Sequence, residues 1–412
     1  MKLHNSLLLS DFFKIPNGST LNTQGEISYH ASLTPPWKSI QDWNSLCVSV
    51  GFGLPTKMVS ADHILPENSI NNHIYKPLFY ANNDSTLHIH VASRDVLFHT
   101  LRSYAKVLAH QNIQKPIKLN IDFDMRHYSE YISRWKIHPR VFIGRCESML
   151  GFLRSMWLID ERLLTFEEVS QMMLVFEKSR ISTQDLSAYE RLIKKADHAL
   201  KVKKQPCSSF IISSYTLEYN STPITIIQLP WGVDMAKQCM RSILSHNPNI
   251  THIGVVGGVG LMNDMNVEVD DIFIPDSIIT TDPIGQYYKK YIQNEFVNLN
   301  RNTYYDEKKI AHGSIFSVIP QKQVISNSAV LLESNLPIDA VDMESLGFYE
   351  ELNMLRPDIR YTSTYYIMDK PFEGIDLGDT YYNSAFLQKL FSNPNRGKYY
   401  CMEKILQFLI AD

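Results

Sequence analysis

A chain of 412 residues, 44% hydrophobic and 11% aromatic, is long enough for two or three domains and can bury a substantial core. Its 40 basic and 43 acidic side chains are mixed along the sequence and leave a formal net charge of -3, so no global field draws it to nucleic acid or to an anionic membrane. Cys47, Cys146, Cys207, Cys239 and Cys401 are odd in number, widely spread and form no C-x-x-C pair, which argues against a disulfide framework or a zinc cluster and suits a reducing compartment.

Leu7-Leu8-Leu9 is interrupted by Asp11 and Lys14 before a signal-peptide apolar region reaches its usual length. No apolar run approaches the roughly 20 residues that span a bilayer, and the expectation is a soluble, cytoplasmic protein. Residues 1–43, rich in Pro, Gly, Ser and Asn, read as loops and short elements. Leu46-Cys47-Val48-Ser49-Val50-Gly51-Phe52-Gly53 then reads as a buried strand and a turn, followed by a second apolar segment, Leu87-His88-Ile89-His90-Val91. Apolar residues fall at helical intervals from Leu97 to Leu108, and Ile117 to Asp124 alternates like a strand. Asp122, Asp124 and His127 gather at the end of that strand, where turn chemistry explains them as well as a site does.

From about Phe142 to Val202 the pattern is mostly helical. Thr165-Phe166-Glu167-Glu168 and Ser182-Thr183-Gln184-Asp185 look like helix starts, and Lys194-Lys195, Lys201, Lys203 and Lys204 supply positive charge near a helix C-terminus before a linker. After Pro206 come closely spaced strands: Ser209 to Ser213, Leu217 to Tyr219, a turn at Asn220-Ser221-Thr222-Pro223, and Ile224 to Leu229. A helix from about Val233 to Ser245 ends at Asn247-Pro248. The strand Ile253-Gly254-Val255-Val256 then runs into a glycine turn, Gly257-Gly258-Val259-Gly260. This order defines an α/β chain with an expected division into residues 1–205, α/β and helical and without an assigned role, and a C-terminal α/β domain at 206–412.

Further on, Ala340-Val341-Asp342-Met343-Glu344-Ser345 delivers two carboxylates at a strand end that turns into a helix. Asp342 reads equally as a helix cap and as a site residue, and Glu344 as a first-turn acid favoured by the helix dipole or as a ligand group. Gly257, Gly258 and Gly260 let a backbone approach a ligand closely, but they lack the G-x-G-x-x-G order and the G-K-[ST] of nucleotide loops.

Five ordered segments raise this above single motifs. They are Gly257 to Gly260, Val269-Asp270-Asp271-Ile272-Phe273-Ile274-Pro275-Asp276, His312-Gly313-Ser314-Ile315-Phe316, Val341-Asp342-Met343-Glu344 and Tyr366-Ile367-Met368-Asp369. In that order, over residues 210–410, the sequence resembles the purine nucleoside phosphorylase and methylthioadenosine/S-adenosylhomocysteine nucleosidase superfamily. The resemblance implies a three-layer α/β domain with a mixed sheet, a nucleoside substrate, no metal or organic cofactor, and a homodimer or larger assembly. Carried over, it makes Glu344 the acceptor for the ribose hydroxyls, Met343 a packing surface for the sugar, and Phe316 the face on which the base stacks. Asp369 becomes the catalytic acid at purine N7, and Gly257 and Gly258 line the site.

Departures from the pattern shape the expected reaction. Val255 and Gly258 stand where phosphorylases of the superfamily carry an Arg and a Ser for phosphate, so a phosphate dianion would be poorly compensated and hydrolysis is favoured over phosphorolysis. Met368 precedes the acid where Ser is common, and Tyr365 replaces an Arg. Glu218 is a distant candidate for activating water. Pro371-Phe372-Glu373-Gly374 has the look of a loop over a site and Met402 to Leu409 that of a closing helix. Three functions follow: N-glycosidic cleavage of a purine nucleoside or related metabolite; a nucleoside-binding sensor without catalysis, which the altered glycines and Tyr365 suit; and a bifunctional enzyme whose C-terminal half removes a nucleoside by-product.

Overall fold

The computed structural model describes the backbone of residues 2–8, 45–50, 63–64, 78–82, 86–91 and 118–123. It goes on to describe residues 128–170, 172, 187–206, 212–229, 232–263, 265–281, 287–295, 308–317, 338–342, 344–370 and 396–411, with backbone alone at 128–129, 187–189, 234, 281, 287 and 369. The chain forms two compact units, Met1–Glu130 with Ser208–Ile211, and Tyr131–Cys207 with Ile212–Asp412.

The first unit contains β1 (Lys2–Leu8), β2 (Ser45–Val50), β3 (His63–Ile64), β4 (Leu78–Asn82), β5 (Thr86–Val91) and β6 (Lys118–Phe123) in one sheet of order β1-β6-β2-β5-β4-β3. Its centre is parallel, because β2 runs beside both β5 and β6 in the same direction. These are the three strands expected from the sequence, and β1 is a short element within the stretch read as loops and short elements. The expected helix at 97–108, Asp124 and His127 lie outside the described residues.

The second unit begins with β7 (Arg140–Ile143) and α1 (Cys146–Asp160), then α2 (Ser187–Ala199), β8 (Lys203–Lys204), β9 (Ser213–Tyr219), β10 (Thr222–Gln228), α3 (Val233–His246) and β11 (His252–Leu261). It continues with β12 (Ile272–Thr281), β13 (Tyr287–Tyr291), β14 (Ile310–Ser317), β15 (Ala340–Asp342), α4 (Ser345–Leu355), β16 (Arg360–Asp369) and α5 (Gly397–Ile410). The sheet order is β13-β12-β14-β15-β11-β7-β10-β9-β8, and β16 pairs with both β11 and β12. Parallel pairs (β7 with β10 and β11, β11 with β16, β12 with β14) alternate with antiparallel ones (β11 with β15, β12 with β16), so the sheet is mixed.

The pairings β11-β15-β14-β12-β16-β11 close on themselves. One apolar cluster draws from all five strands of this ring: Val259, Phe273, Ile315, Ala340 and Tyr365. Successive residues of a strand face opposite sides. Tyr365 joins that cluster with Tyr349 of α4, while Tyr366 joins the cluster that holds α1 and α5, so helices cover both sides of β16 in three layers. α4 lies close on α3, where a side chain at Gly347 would press into the Val233 carbonyl and Ala236. The far end of α5 is held by Arg140, which donates to the Leu409 and Ala411 carbonyls that a helix end leaves over.

Local chemistry accounts for several boundaries. Asn220 and Ser221 have φ of 47° and 62°, the left-handed pair that a two-residue hairpin turn uses, and they join β9 to β10 with Tyr219 opposite Thr222. At the expected helix start, the Glu168 amide donates to Thr165 Oγ1 at 3.3 Å and the Thr165 amide donates to Glu168 Oε2 at 2.8 Å, a reciprocal cap. α3 stops at His246, before Asn247-Pro248.

Two expectations need correction. The boundary at 205/206 is displaced to Tyr131: β7 lies between β10 and β11, and α1 shares a core with α5. Val141-Phe142-Ile143 is too short an apolar run for periodicity to separate strand from helix. Lys203 and Lys204, expected near a helix end, instead extend the sheet as β8 opposite Thr216 and Tyr215; residues 207–211, where a linker was expected, lie outside the described residues.

Candidate functional site

Register places four of the singled-out segments in one line across the sheet. Asp369 at the end of β16 is opposite Gly260 of β11, Gly260 is opposite Val341 of β15, and Val341 is opposite Phe316 of β14. The line extends to Ile279 on β12. Phe316 is half-buried against Met262, Ile279, Ile338 and Val341. Three residues beyond Val341, Glu344 is half-buried immediately before α4 and caps no helix amide with its side chain.

Capping falls to Asp342 instead. Its buried carboxylate accepts the Ser345 amide at 2.8 Å, the Ser345 hydroxyl, and the Ser317 hydroxyl at 2.6 Å. Ser317 Oγ in turn accepts the Leu346 amide at 2.9 Å. One carboxylate and two hydroxyls therefore tie the end of β14 to the first turn of α4, and they hold Asp342 two residues before Glu344, Ser345 directly after it and Ser317 directly after Phe316. Burial raises the Asp342 carboxyl above its ordinary value, against the opposing pull of hydrogen bonds from Ser317, from Ser345 and from the Glu344 amide.

The polar chain continues inward. Ser345 Oγ and the Tyr365 hydroxyl are hydrogen-bonded, and the Tyr361 side chain bonds to Tyr365 and Ser363. Burial holds the Tyr361 and Tyr365 phenols above their usual range, so both stay protonated as donors. Tyr365 was legible only as a departure from a motif; Ser317, Ser345 and Tyr361 carried no signal beyond the Asp-x-x-Ser spacing of a helix cap.

The glycines differ from expectation. Gly257 to Gly260 form no turn; they lie in the second half of the ten-residue β11, paired with Tyr365 to Asp369 across a register shift between Val259 and Gly260. A side chain at Gly257 would come within 2.8 Å of the Tyr365 ring, and one at Gly258 would run into Met368 Sδ. The room these glycines leave is filled by neighbours on β16, the usual meaning of glycine within a strand. Glu218 is also removed from the line. It lies on β9, three strand positions from β11, roughly 14 Å away, and pairs with Lys201 at 2.8 Å.

The segment around Asp270 docks on the same end of β16. Asp270, with φ of 77°, donates its amide to the Ile367 carbonyl, and the Ile367 amide returns to the Asp271 carbonyl at 2.9 Å. Burial raises the Asp270 carboxyl, although Arg396 and Lys308 oppose this and Lys308 lies 3.3 Å away. Met343, the loop at 371–374 and the side chain of Asp369 lie outside the described residues. Among residues whose side chains are described, no group of three His, Cys, Asp or Glu is placed to hold a metal ion. Among the described residues no helix is long and apolar enough to cross a membrane.

No family model and no curated protein sequence matches the chain. Solved structures do. The chain is similar to uridine phosphorylase from Vibrio fischeri ES114, at 13% identity over 70% of this chain and 99% of that one with a TM-score of 0.41. It is also similar to the 5'-methylthioadenosine/S-adenosylhomocysteine nucleosidase from Neisseria meningitidis in complex with methylthio-immucillin-A, at 15% identity over 65% and 98% with a TM-score of 0.38. A nucleosidase of the same name from Colwellia psychrerythraea 34H, in complex with adenine, matches at 12% identity over 66% and 97% with a TM-score of 0.38.

Proposed function

We propose that the second unit cleaves the N-glycosidic bond of a purine nucleoside or a related metabolite, by hydrolysis in preference to phosphorolysis. The observation that carries this reading is the line Asp369, Gly260, Val341, Phe316 across four adjacent strands, with Glu344 three residues past its third member. Segments 25 to 109 residues apart in sequence meet there, which supports a reading with an acid, a sugar-binding carboxylate and an aromatic face around one nucleoside.

In this reading Glu344 accepts hydrogen bonds from the ribose hydroxyls, Met343 packs on the sugar and Phe316 stacks on the base. As the bond from C1′ to the base nitrogen lengthens, positive charge grows on the sugar and an anionic pocket stabilises it. Asp369 gives its proton to the departing base. A water oxygen bonds to C1′, and its displaced proton restores the acid. Gly257 and Gly258 contribute by admitting Tyr365 and Met368 beside the site rather than by touching substrate.

Base release from a nucleoside panel, with and without phosphate, tests the reading. We expect release without phosphate. Release only with phosphate would make the protein a phosphorylase, and tight binding without turnover would make it a sensor. No binding and no turnover of any nucleoside would sink the proposal.

A further inference from the structure

The first unit carries chemistry that glycosidic cleavage does not use. Along β2, β5 and β6 the apolar residues Leu46, Val48 and Val50, Leu87, Ile89 and Val91, and Leu119, Ile121 and Phe123 occupy every second position. They share one face of the sheet. The intervening positions share the other, and the register arranges them in rows across β5, β2 and β6. One row is His88, Cys47, Asn120; the next, two residues along, is His90, Ser49, Asp122.

Each row contains a nucleophile, an imidazole and a polar third member, which invites comparison with a hydrolytic triad. The strand order speaks against it. A triad needs the imidazole between the nucleophile and the carboxylate, but β2 supplies both nucleophiles and lies between the other two strands. His90 and Asp122 are thus two strand spacings apart, about 9.6 Å.

The same order suits a metal ion. His88 and His90 are alternate residues of β5, about 6.6 Å apart along the strand, and Cys47 is opposite His88 on the adjoining strand at about 4.8 Å. Two imidazoles and a thiol on adjoining, mutually hydrogen-bonded strands are a donor set for zinc and similar ions; magnesium and calcium prefer oxygen. Asp122 is opposite Lys2 of β1 in register and lies on β6, the strand on the far side of β2 from His88 and His90, which places it at the rim of the patch and not at its centre. The lack of a C-x-x-C pair speaks against an all-cysteine site and leaves this mixed set untouched.

We propose that the polar face of the N-terminal sheet binds one zinc-type divalent transition-metal ion at the patch defined by His88, His90 and Cys47, with Asp122 at its rim. This site is independent of the glycosidic reading, and either can fail without the other.

The test uses the full-length protein, stripped with chelator and titrated with zinc against a chromophoric competitor, then reloaded with cobalt(II) for its absorption spectrum. We expect one zinc per chain, and a thiolate-to-cobalt charge-transfer band that Cys47→Ser removes. His88→Ala and His90→Ala should each weaken binding by more than about tenfold, the lower end of the effect of losing even an indirect metal contact. His312→Ala, on an exposed residue of the second unit, should leave affinity unchanged. Failure of the wild type to retain zinc, affinity unchanged in both histidine variants, or a charge-transfer band that survives Cys47→Ser overturns the proposal. The wild-type spectrum keeps the test decisive should a histidine variant fail to fold, because absence of the band alone rules out thiolate ligation.

Discussion

Strands β2, β5 and β6 of the first unit alternate apolar and polar residues, whereas central strands of the second are buried at consecutive positions, as in Val141-Phe142-Ile143 of β7 and Ile224 to Ile227 of β10. Consecutive burial is what a sheet with helices on both faces demands, and here α1 with α5 and α4 with α3 supply the two layers. In that sheet the candidate residues lie near strand ends: Phe316 next to last in β14, Glu344 two beyond β15 and Asp369 at the end of β16. The alternating strands set their polar residues on one face, and the candidate donors lie in mid-strand. Each site is therefore exposed to a different kind of damage, loss of a single end residue in one case and loss of register in the other.

The sharpest break is Asp369→Asn. If proton donation at the end of β16 drives base release, kcat should fall by about 10²- to 10⁴-fold with the fold intact; unchanged turnover would falsify the assignment of the acid. Gly257→Ala tests whether the glycines of β11 serve packing. Its new Cβ would press on the buried Tyr365 ring, and we expect a loss of about 1–3 kcal/mol in denaturant unfolding. A Gly257→Ala protein that melts like wild type while losing nucleoside affinity would return the glycine to the ligand.

Asp342 gives a pH-dependent test of the strand-end site. Because burial raises its carboxyl above the ordinary 3.8, the folded chain holds that proton more tightly than the unfolded chain. Stability from this group is present at low pH and declines as pH rises from the ordinary carboxylate value through the raised one. Asp342→Asn should remove that part of the slope, measured by urea unfolding at several pH values. It should also lower kcat/KM for ribonucleosides more than for 2′-deoxyribonucleosides, since Glu344 loses its support. An unaltered slope, or equal loss on both sugars, would mean that Asp342 does not set the position of Glu344.

Much of this arrangement was legible in the sequence because it rests on short-range chemistry. The Asn220-Ser221 turn, the Thr165-Glu168 cap and the Asn247-Pro248 stop are local, and each lies where its residue types demand. What escaped was long-range. Val141-Phe142-Ile143 reveals its strand identity only beside β10 and β11, and the glycines of β11 read as a turn because their crowding neighbours, Tyr365 and Met368, are more than 100 residues away. The Ser317, Asp342, Ser345, Tyr365 chain was hidden for the same reason, since it joins three segments that only the sheet brings together.

The smallest expected effect concerns Glu218. The sequence offers it as a water-activating base, but three strand positions separate β9 from β11 and Lys201 already pairs with its carboxylate on the surface. Exposed pairs of this kind contribute about 0.2–1 kcal/mol. Glu218→Gln should therefore shift stability by no more than that and leave base release unchanged. A large drop in turnover would require a water-activating carboxylate three strand positions from β11 and would break the confinement of chemistry in the second unit to the line that runs through Gly260.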